Sequence, residues 1–175
     1  MKYQEELIKA MTLLAKENYI FIGQSVLFPG TGLFHTIKHI PDEQKIETPI
    51  FEDTQLGISI GMSLEGLKVC SIYPRMDFLI LALNQLVNHL DKMEEMSDGE
   101  FKPKVIIRTA VGSVKPLFPG PQHNQNHFKA LWQMLTNVDI IELKSAEDII
   151  PQYKKALENK RSVIIIEYPD LYNIK

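Results

Sequence analysis

Cysteine is almost missing from this sequence: Cys70 is the only one in 175 residues. A lone thiol excludes an internal disulfide and fits a reducing compartment. Long apolar runs are missing too. None reaches the roughly 18 residues that a membrane-spanning helix needs. The opening Met1-Lys2-Tyr3-Gln4-Glu5-Glu6 puts acids where the apolar core of a secretion signal would lie. Charge of one sign is also scarce, with a net charge of −3 and basic residues scattered along the chain. Nothing here attracts a polyanion, so no nucleic-acid partner is expected. Gly30-Thr31-Gly32 lacks the third glycine and the lysine-serine pair of a phosphate loop, and reads as a turn. Repeats, low-complexity tracts and linkers are absent. These absences predict a soluble, cytoplasmic chain with no membrane partner.

What is present suffices for one domain over residues 1–175. Hydrophobic residues make up 45% of the chain, and a chain of this length buries about 70% of the surface its unfolded form exposes. Residues 2–17 space Leu7, Ala10, Met11 and Leu14 as a helix. Buried strands are predicted at 19–22, 67–73, 104–108, 138–143 and 162–168. Helices are predicted at 33–40, at 78–96 with Asp77 as cap, and at 127–136 and 145–159. Strands alternating with helices predict an α/β three-layer sandwich, with a mostly parallel sheet of about six strands and helices on both faces.

The stretch from Ile46 to Gly66 organises the rest. Pro49 enforces an extended approach at Thr48. Leu56, Ile60 and Leu64 then recur at helical spacing, with Gly57 and Gly61 on an adjacent stripe where they allow close packing. Glu52 and Asp53 fall in the first turn, where a carboxylate offsets the helix dipole by about 0.3–1 kcal/mol. Spacing alone reads Glu52 as a first-turn acid.

The whole string says more. Glu47-Thr48-Pro49-Ile50-Phe51-Glu52 followed by Gly57-Ile58-Ser59-Ile60-Gly61-Met62 resembles the cofactor-activating segment of thiamine diphosphate enzymes. The match is to the pyrimidine-binding domain shared by transketolases and 2-oxo-acid dehydrogenase β subunits. The resemblance implies that Glu52 hydrogen-bonds the aminopyrimidine and shares a proton with it, and that Ile50 lies against the cofactor. It further implies that an aromatic or flat group at the end of the 67–73 strand stacks on that ring. Tyr73 is one alignment's choice and Arg75 the other's, since a guanidinium also stacks. Gln24 and Ser25 stand where the family commonly has acids.

A long loop from Thr109 to Asn126 exceeds what a connector needs. Its Gly120-Pro121-Gln122-His123-Asn124-Gln125, with Arg108-Thr109 before it, resembles the Gly-Pro-Gln-His-Ser-Gln segment of dehydrogenase β subunits. That implies a substrate or proton-transfer role for His123, a residue type that titrates near neutrality. His127 is placed at a helix start; His35, His39 and His89 read as surface or helix-packing residues. Ser97-Asp98-Gly99-Glu100 imitates a magnesium–diphosphate motif but ends a helix instead of opening one, so no metal site is expected there.

The Gly-Asp-Gly…Asn motif of this enzyme class is missing. The expectation is therefore a pyrimidine-binding half, inactive alone, acting on a 2-oxo acid or ketose with thiamine diphosphate. Its Mg2+ would be held mainly by a separate α-like, diphosphate-binding subunit in a hetero-oligomer, with a homodimer as the alternative for the chain by itself. The C-terminal domain that β subunits carry has no counterpart in these 175 residues. The competing expectation is a non-catalytic relative that binds or regulates a partner protein.

Overall fold

The computed structural model describes residues 2–115 and 118–172. Six parallel strands form one sheet: β1 (Tyr19–Gly23), β2 (Lys45–Glu47), β3 (Lys68–Tyr73), β4 (Val105–Ala110), β5 (Asp139–Glu142) and β6 (Val163–Glu167). Their spatial order is β2-β1-β3-β4-β6-β5. The helices are α1 (Tyr3–Lys16), α2 (Phe34–Ile37), α3 (Glu52–Leu64), α4 (Met76–Leu79), α5 (Met93–Met96), α6 (Phe128–Met134) and α7 (Ala146–Glu158).

Alternation along the central strands builds two cores. Ile106, Val163 and Ile165 face one way and pack with Leu7, Met11 and Leu14 of α1 and with Ile149 and Tyr153 of α7. Ile107, Ile164 and Ile166 face the other way, against Leu56 and Ile60 of α3, Leu79 of α4 and Leu131 of α6. This is the three-layer sandwich that the alternating pattern predicts. Every residue of β4 is buried, as expected of a parallel strand covered on both faces.

Three local expectations are corrected. β2 was not foreseen, because Lys45-Ile46-Glu47 has no apolar run; it exists by pairing with β1, Phe21 against Lys45 and Gly23 against Glu47. The helix expected from 78 to 96 is not one regular helix. After α4 comes a 3-10 turn, Ile80–Ala82, then a π-helical segment, Asn84–Leu90, and then α5. The apolar stripe survives this change of pitch, with Leu79, Leu86 and Leu90 all buried. Asp77 does not cap it: Arg75 holds the N-cap position, and Asp77 Oδ1 accepts the side-chain N–H of Gln125 at 2.9 Å.

The carboxyl end of the π segment is tied to the start of β5 by Asp91, which is buried. Its Oδ1 accepts the backbone N–H groups of Thr136 at 3.0 Å, Asn137 at 2.7 Å and Val138 at 3.0 Å. Burial pushes the Asp91 carboxyl up, but the donors at Asn137, Lys92 and Thr136 together hold it below the ordinary aspartate value. A depressed carboxylate contributes stability at neutral pH that is lost as pH falls through its folded pKa. Asp91→Ala is therefore expected to cost about 3 kcal/mol at neutral pH, because several buried donors lose their acceptor. The same change should flatten the acid limb of the stability curve. Urea unfolding at neutral pH and again in acid, on both proteins, measures both effects; equal midpoints at neutral pH would sink the assignment.

Candidate functional site

In open α/β sheets, ligands bind beyond the carboxyl ends of strands where the chain's crossovers diverge. Here that point lies between β1 and β3: the chain leaves β1 towards β2 and leaves β3 towards β4. The two strands end side by side, with Gly23 paired to Ile72. A Cβ on Gly23 would sit 2.3 Å from the Ile72 carbonyl oxygen, so only glycine permits the approach.

The loop after β1 is held by an acid that sequence reasoning did not single out. Glu47 Oε1 accepts the backbone N–H of Ser25 at 2.6 Å, and its Oε2 accepts those of Val26 and Leu27, both at 2.8 Å. Gln55 was also missed. It is buried within α3, where its Nε2 donates to Ser71 Oγ and to the Ile72 carbonyl, both at 3.0 Å. Ser59 Oγ donates to the Gln55 carbonyl at 2.8 Å. This buried polar network fixes the first turns of α3 against the sheet. Its only trace in the sequence is Gln55 and Ser59 beside the apolar stripe of α3.

Glu52 opens α3 and is half-buried. Its backbone carbonyl accepts the Tyr73 hydroxyl at 3.2 Å. Gln24, Pro49, Ile50, Phe51, Glu52, Gln55, Tyr73 and Pro74 line a hollow there that encloses no room for a water molecule. Ile50 and Phe51 project beside the acid, 65% and 62% exposed. Tyr73 is 0% exposed, and burial raises its pKa, so its hydroxyl stays a donor. Of the two stacking candidates Tyr73 lines the hollow and Arg75 does not; the exposed aromatic side chain there is Phe51.

Arg75 ties a different pair together. Its Nη1 donates to the carbonyls of Gly112 and, at 2.7 Å, of His123, which lies 48 residues away in sequence. Gly120, at φ +97°, takes a left-handed conformation suited to glycine and opens the 3-10 turn Pro121–His123. The His123 ring meets Phe78 edge-on, with centroids 5.4 Å apart. The end of β3 therefore reaches both parts of the site, Glu52 through Tyr73 and His123 through Arg75. Arg108 is fully buried and turned into the α1/α7 layer, where Nη2 donates to Glu167 Oε2 at 2.9 Å. Asp98 and Gly99 take left-handed φ values of 52° and 82° just after α5, as a helix stop should. His127 holds the N-cap position of α6. Among the described residues no group of three or more His, Cys, Asp or Glu side chains is placed to hold a metal.

No family model matches the chain. Among solved structures, a split gene transketolase, an inactive β4 tetramer, superposes with a TM-score of 0.73 at 20% identity, over 96% of this chain and 51% of that one. The pyruvate dehydrogenase E1 component subunit beta of Cyanidium caldarium is 29% identical over 93% of this chain and 50% of its own length. In sequence the chain is similar to these beta subunits, and its fold is that of the transketolase-like domain. The domain is also 30% identical to the corresponding beta subunit of Gracilaria tenuistipitata var. liui, over 77% of this chain and 41% of that protein. It spans about half the length, or less, of these curated relatives. A rice relative, 28% identical, is named chloroplastic, so kinship does not by itself give a cytoplasmic address. Among the described residues no helix is long and apolar enough to cross a membrane.

Proposed function

We propose that this chain is the pyrimidine-binding subunit of a split thiamine diphosphate enzyme of the transketolase or 2-oxo-acid dehydrogenase kind. It would act on a 2-oxo acid or ketose, together with a separate α-like subunit that holds the diphosphate and most of the Mg2+ coordination. The observation that carries this reading is Glu52. It is a half-buried acid in the first turn of α3, its helix fixed by Gln55 and its carbonyl held by Tyr73, at a hollow walled by exposed Ile50 and Phe51.

An acid flanked by open apolar side chains suits the nitrogen-bearing edge of a flat heterocycle. The hollow does not by itself enclose such a ring, which supports a second wall from another chain and a subunit inactive alone. Bound there, thiamine diphosphate supplies an electron sink for breaking a bond beside a carbonyl. The residues of this chain do the rest. The Glu52 carboxyl takes and returns a proton at a ring nitrogen. Ile50 and Phe51 exclude water from that exchange, and Tyr73 positions the turn that carries Glu52. His123, held through its own carbonyl by Arg75, offers its imidazole to the substrate. A second reading, a non-catalytic relative that binds or regulates a partner, is favoured by one observation: the solved neighbour is an inactive β4 tetramer.

Calorimetric titration of thiamine diphosphate with Mg2+ separates the two. Heat is expected only when the chain is mixed with an α-like subunit bearing Gly-Asp-Gly…Asn. No binding to that mixture overturns the first reading and leaves self-association or partner binding as the chain's task.

A further inference from the structure

One short stretch of chain grips the loop that carries His123. Arg75, Met76, Asp77 and Phe78 follow β3 in succession, and each meets residues 123–127. Arg75 Nη1 donates to the His123 carbonyl at 2.7 Å. Met76 Sδ accepts the backbone N–H of His127 at 3.0 Å. Asp77 Oδ1 accepts the side-chain N–H of Gln125 at 2.9 Å and, at 3.3 Å, its backbone N–H. Phe78 meets the His123 ring edge-on. On the far side Asn126 Nδ2 donates to the Tyr168 hydroxyl at 3.4 Å. The backbone at His123 is thereby fixed from both directions. Its own N–H donates to the Gly120 carbonyl at 3.2 Å, its carbonyl is held by Arg75, and Gln125 is pinned two residues on. The freedom that remains is rotation about the side chain's own bonds, and Phe78 restricts the rotamers open to it.

Asp77 is the one carboxylate in this grip, and stability does not account for it. Its Oδ2 is buried and takes no hydrogen bond among the described residues, an arrangement that costs stability. The helix it helps to open, α4, spans only Met76–Leu79, too short for its dipole to favour an acid appreciably. The Asp77 charge does act on Arg75: burial lowers the guanidinium's pKa, and the carboxylate opposes that shift. The two polar members of the grip are therefore electrostatically complementary. A half-satisfied buried acid calls for an explanation outside packing, and the contact its other oxygen makes is with the segment that carries His123.

We propose that Asp77 is a positioning residue for His123: by holding Gln125 it fixes the turn from which the His123 imidazole reaches the substrate. The proposal rests on reading His123 as the residue that serves the substrate. Asp77 touches neither cofactor nor substrate and acts only through the loop. A displacement of about 1 Å in a reacting group can cost about 10²-fold in rate, so a single hydrogen-bonded anchor two residues away is enough to matter.

The test compares Asp77→Ala, Asp77→Asn, His123→Ala and the double variant Asp77→Ala/His123→Ala, each in the complex reconstituted with the α-like subunit. Asp77→Ala is expected to lower kcat about 10- to 100-fold, with calorimetric cofactor affinity and melting temperature as in the wild type. Asp77→Asn keeps an acceptor oxygen for Gln125 and should restore most of the turnover. In the His123→Ala background, Asp77→Ala should cost nothing further, since residues that act as one unit are not additive. The same loss in that background, or wild-type kcat in Asp77→Ala where His123→Ala is impaired, overturns the proposal and leaves the His123 reading standing. Wild-type turnover in His123→Ala would overturn that reading and the proposal with it. Ring-proton NMR of the full chain alone supplies a second readout, the His123 signals being those lost in His123→Ala. They should move in Asp77→Ala and return in Asp77→Asn; unmoved signals overturn the hold itself. Should Asp77→Ala fail to fold, Gln125→Ala removes the side-chain donor from an exposed residue and should move the same signals and lower kcat.

Discussion

Glu52→Gln is expected to reduce turnover of the reconstituted complex by about 10²–10⁴-fold, the usual contribution of a positioned proton-transfer group. The amide keeps the size of the side chain and its hydrogen-bonding reach but cannot take up and return a proton. The fold should not change. The Tyr73 bond reaches the Glu52 backbone carbonyl, and Gln55, not Glu52, carries the buried network under α3. The variant should therefore melt as wild type and still associate with the α-like subunit. Turnover, melting temperature and calorimetric cofactor affinity, measured together, separate a lost proton transfer from a lost site. Wild-type turnover in the variant complex would refute the role.

The largest expected loss of stability lies on the other side of the sheet. Arg108 on β4 and Glu167 on β6 are both fully buried and paired through two contacts, Nε to Oε1 and Nη2 to Oε2. Thr36 Oγ1 accepts from Arg108 at 2.8 Å, while the hydroxyls of Tyr172 and Tyr153 donate to Glu167. Burial opposes charge on Arg108, but Glu167 beside it prevails and raises its pKa. Burial, then the Glu167 charge, push both tyrosines well above their ordinary values, so they remain donors.

Arg108→Met strands the Glu167 carboxylate in the core, and breaking such a pair costs about 3–5 kcal/mol. Replacing both residues, as in Arg108→Met with Glu167→Leu, should cost less than the single change, because no uncompensated charge remains. Urea midpoints of the wild type, single and double variants decide the point. A single variant within about 1 kcal/mol of wild type would show that the pair is solvated and weak.

The legible parts of this molecule are those whose cause is local. Buried runs such as Val105–Ala110 and Val163–Glu167 name themselves as strands, and α1 and α7 follow from apolar spacing. The Glu52 segment was readable because its residues are consecutive and their order matches a family's. β2 was hidden because polar Lys45 and Glu47 form a strand only by lying beside β1. The pitch change between Ile80 and Leu90 left no mark, because Leu79, Leu83, Leu86 and Leu90 keep an apolar face under more than one helical geometry. Tyr73 and Arg75 were interchangeable in an alignment; burial and partners separate them.

By itself, then, the sequence determined the α/β class, the parallel sheet, the placing of Glu52 in a first turn and the resemblance to thiamine diphosphate enzymes. Each of these rests on periodicity or on contiguous residues. Only the tertiary structure decided that Tyr73 lies beneath Glu52, that Arg75 reaches His123 across 48 residues, and that Arg108 pairs with Glu167 inside the core. Those relations join residues distant in the chain. They are set by which strands are neighbours in the sheet and which way each side chain turns at its end, and no local pattern records either.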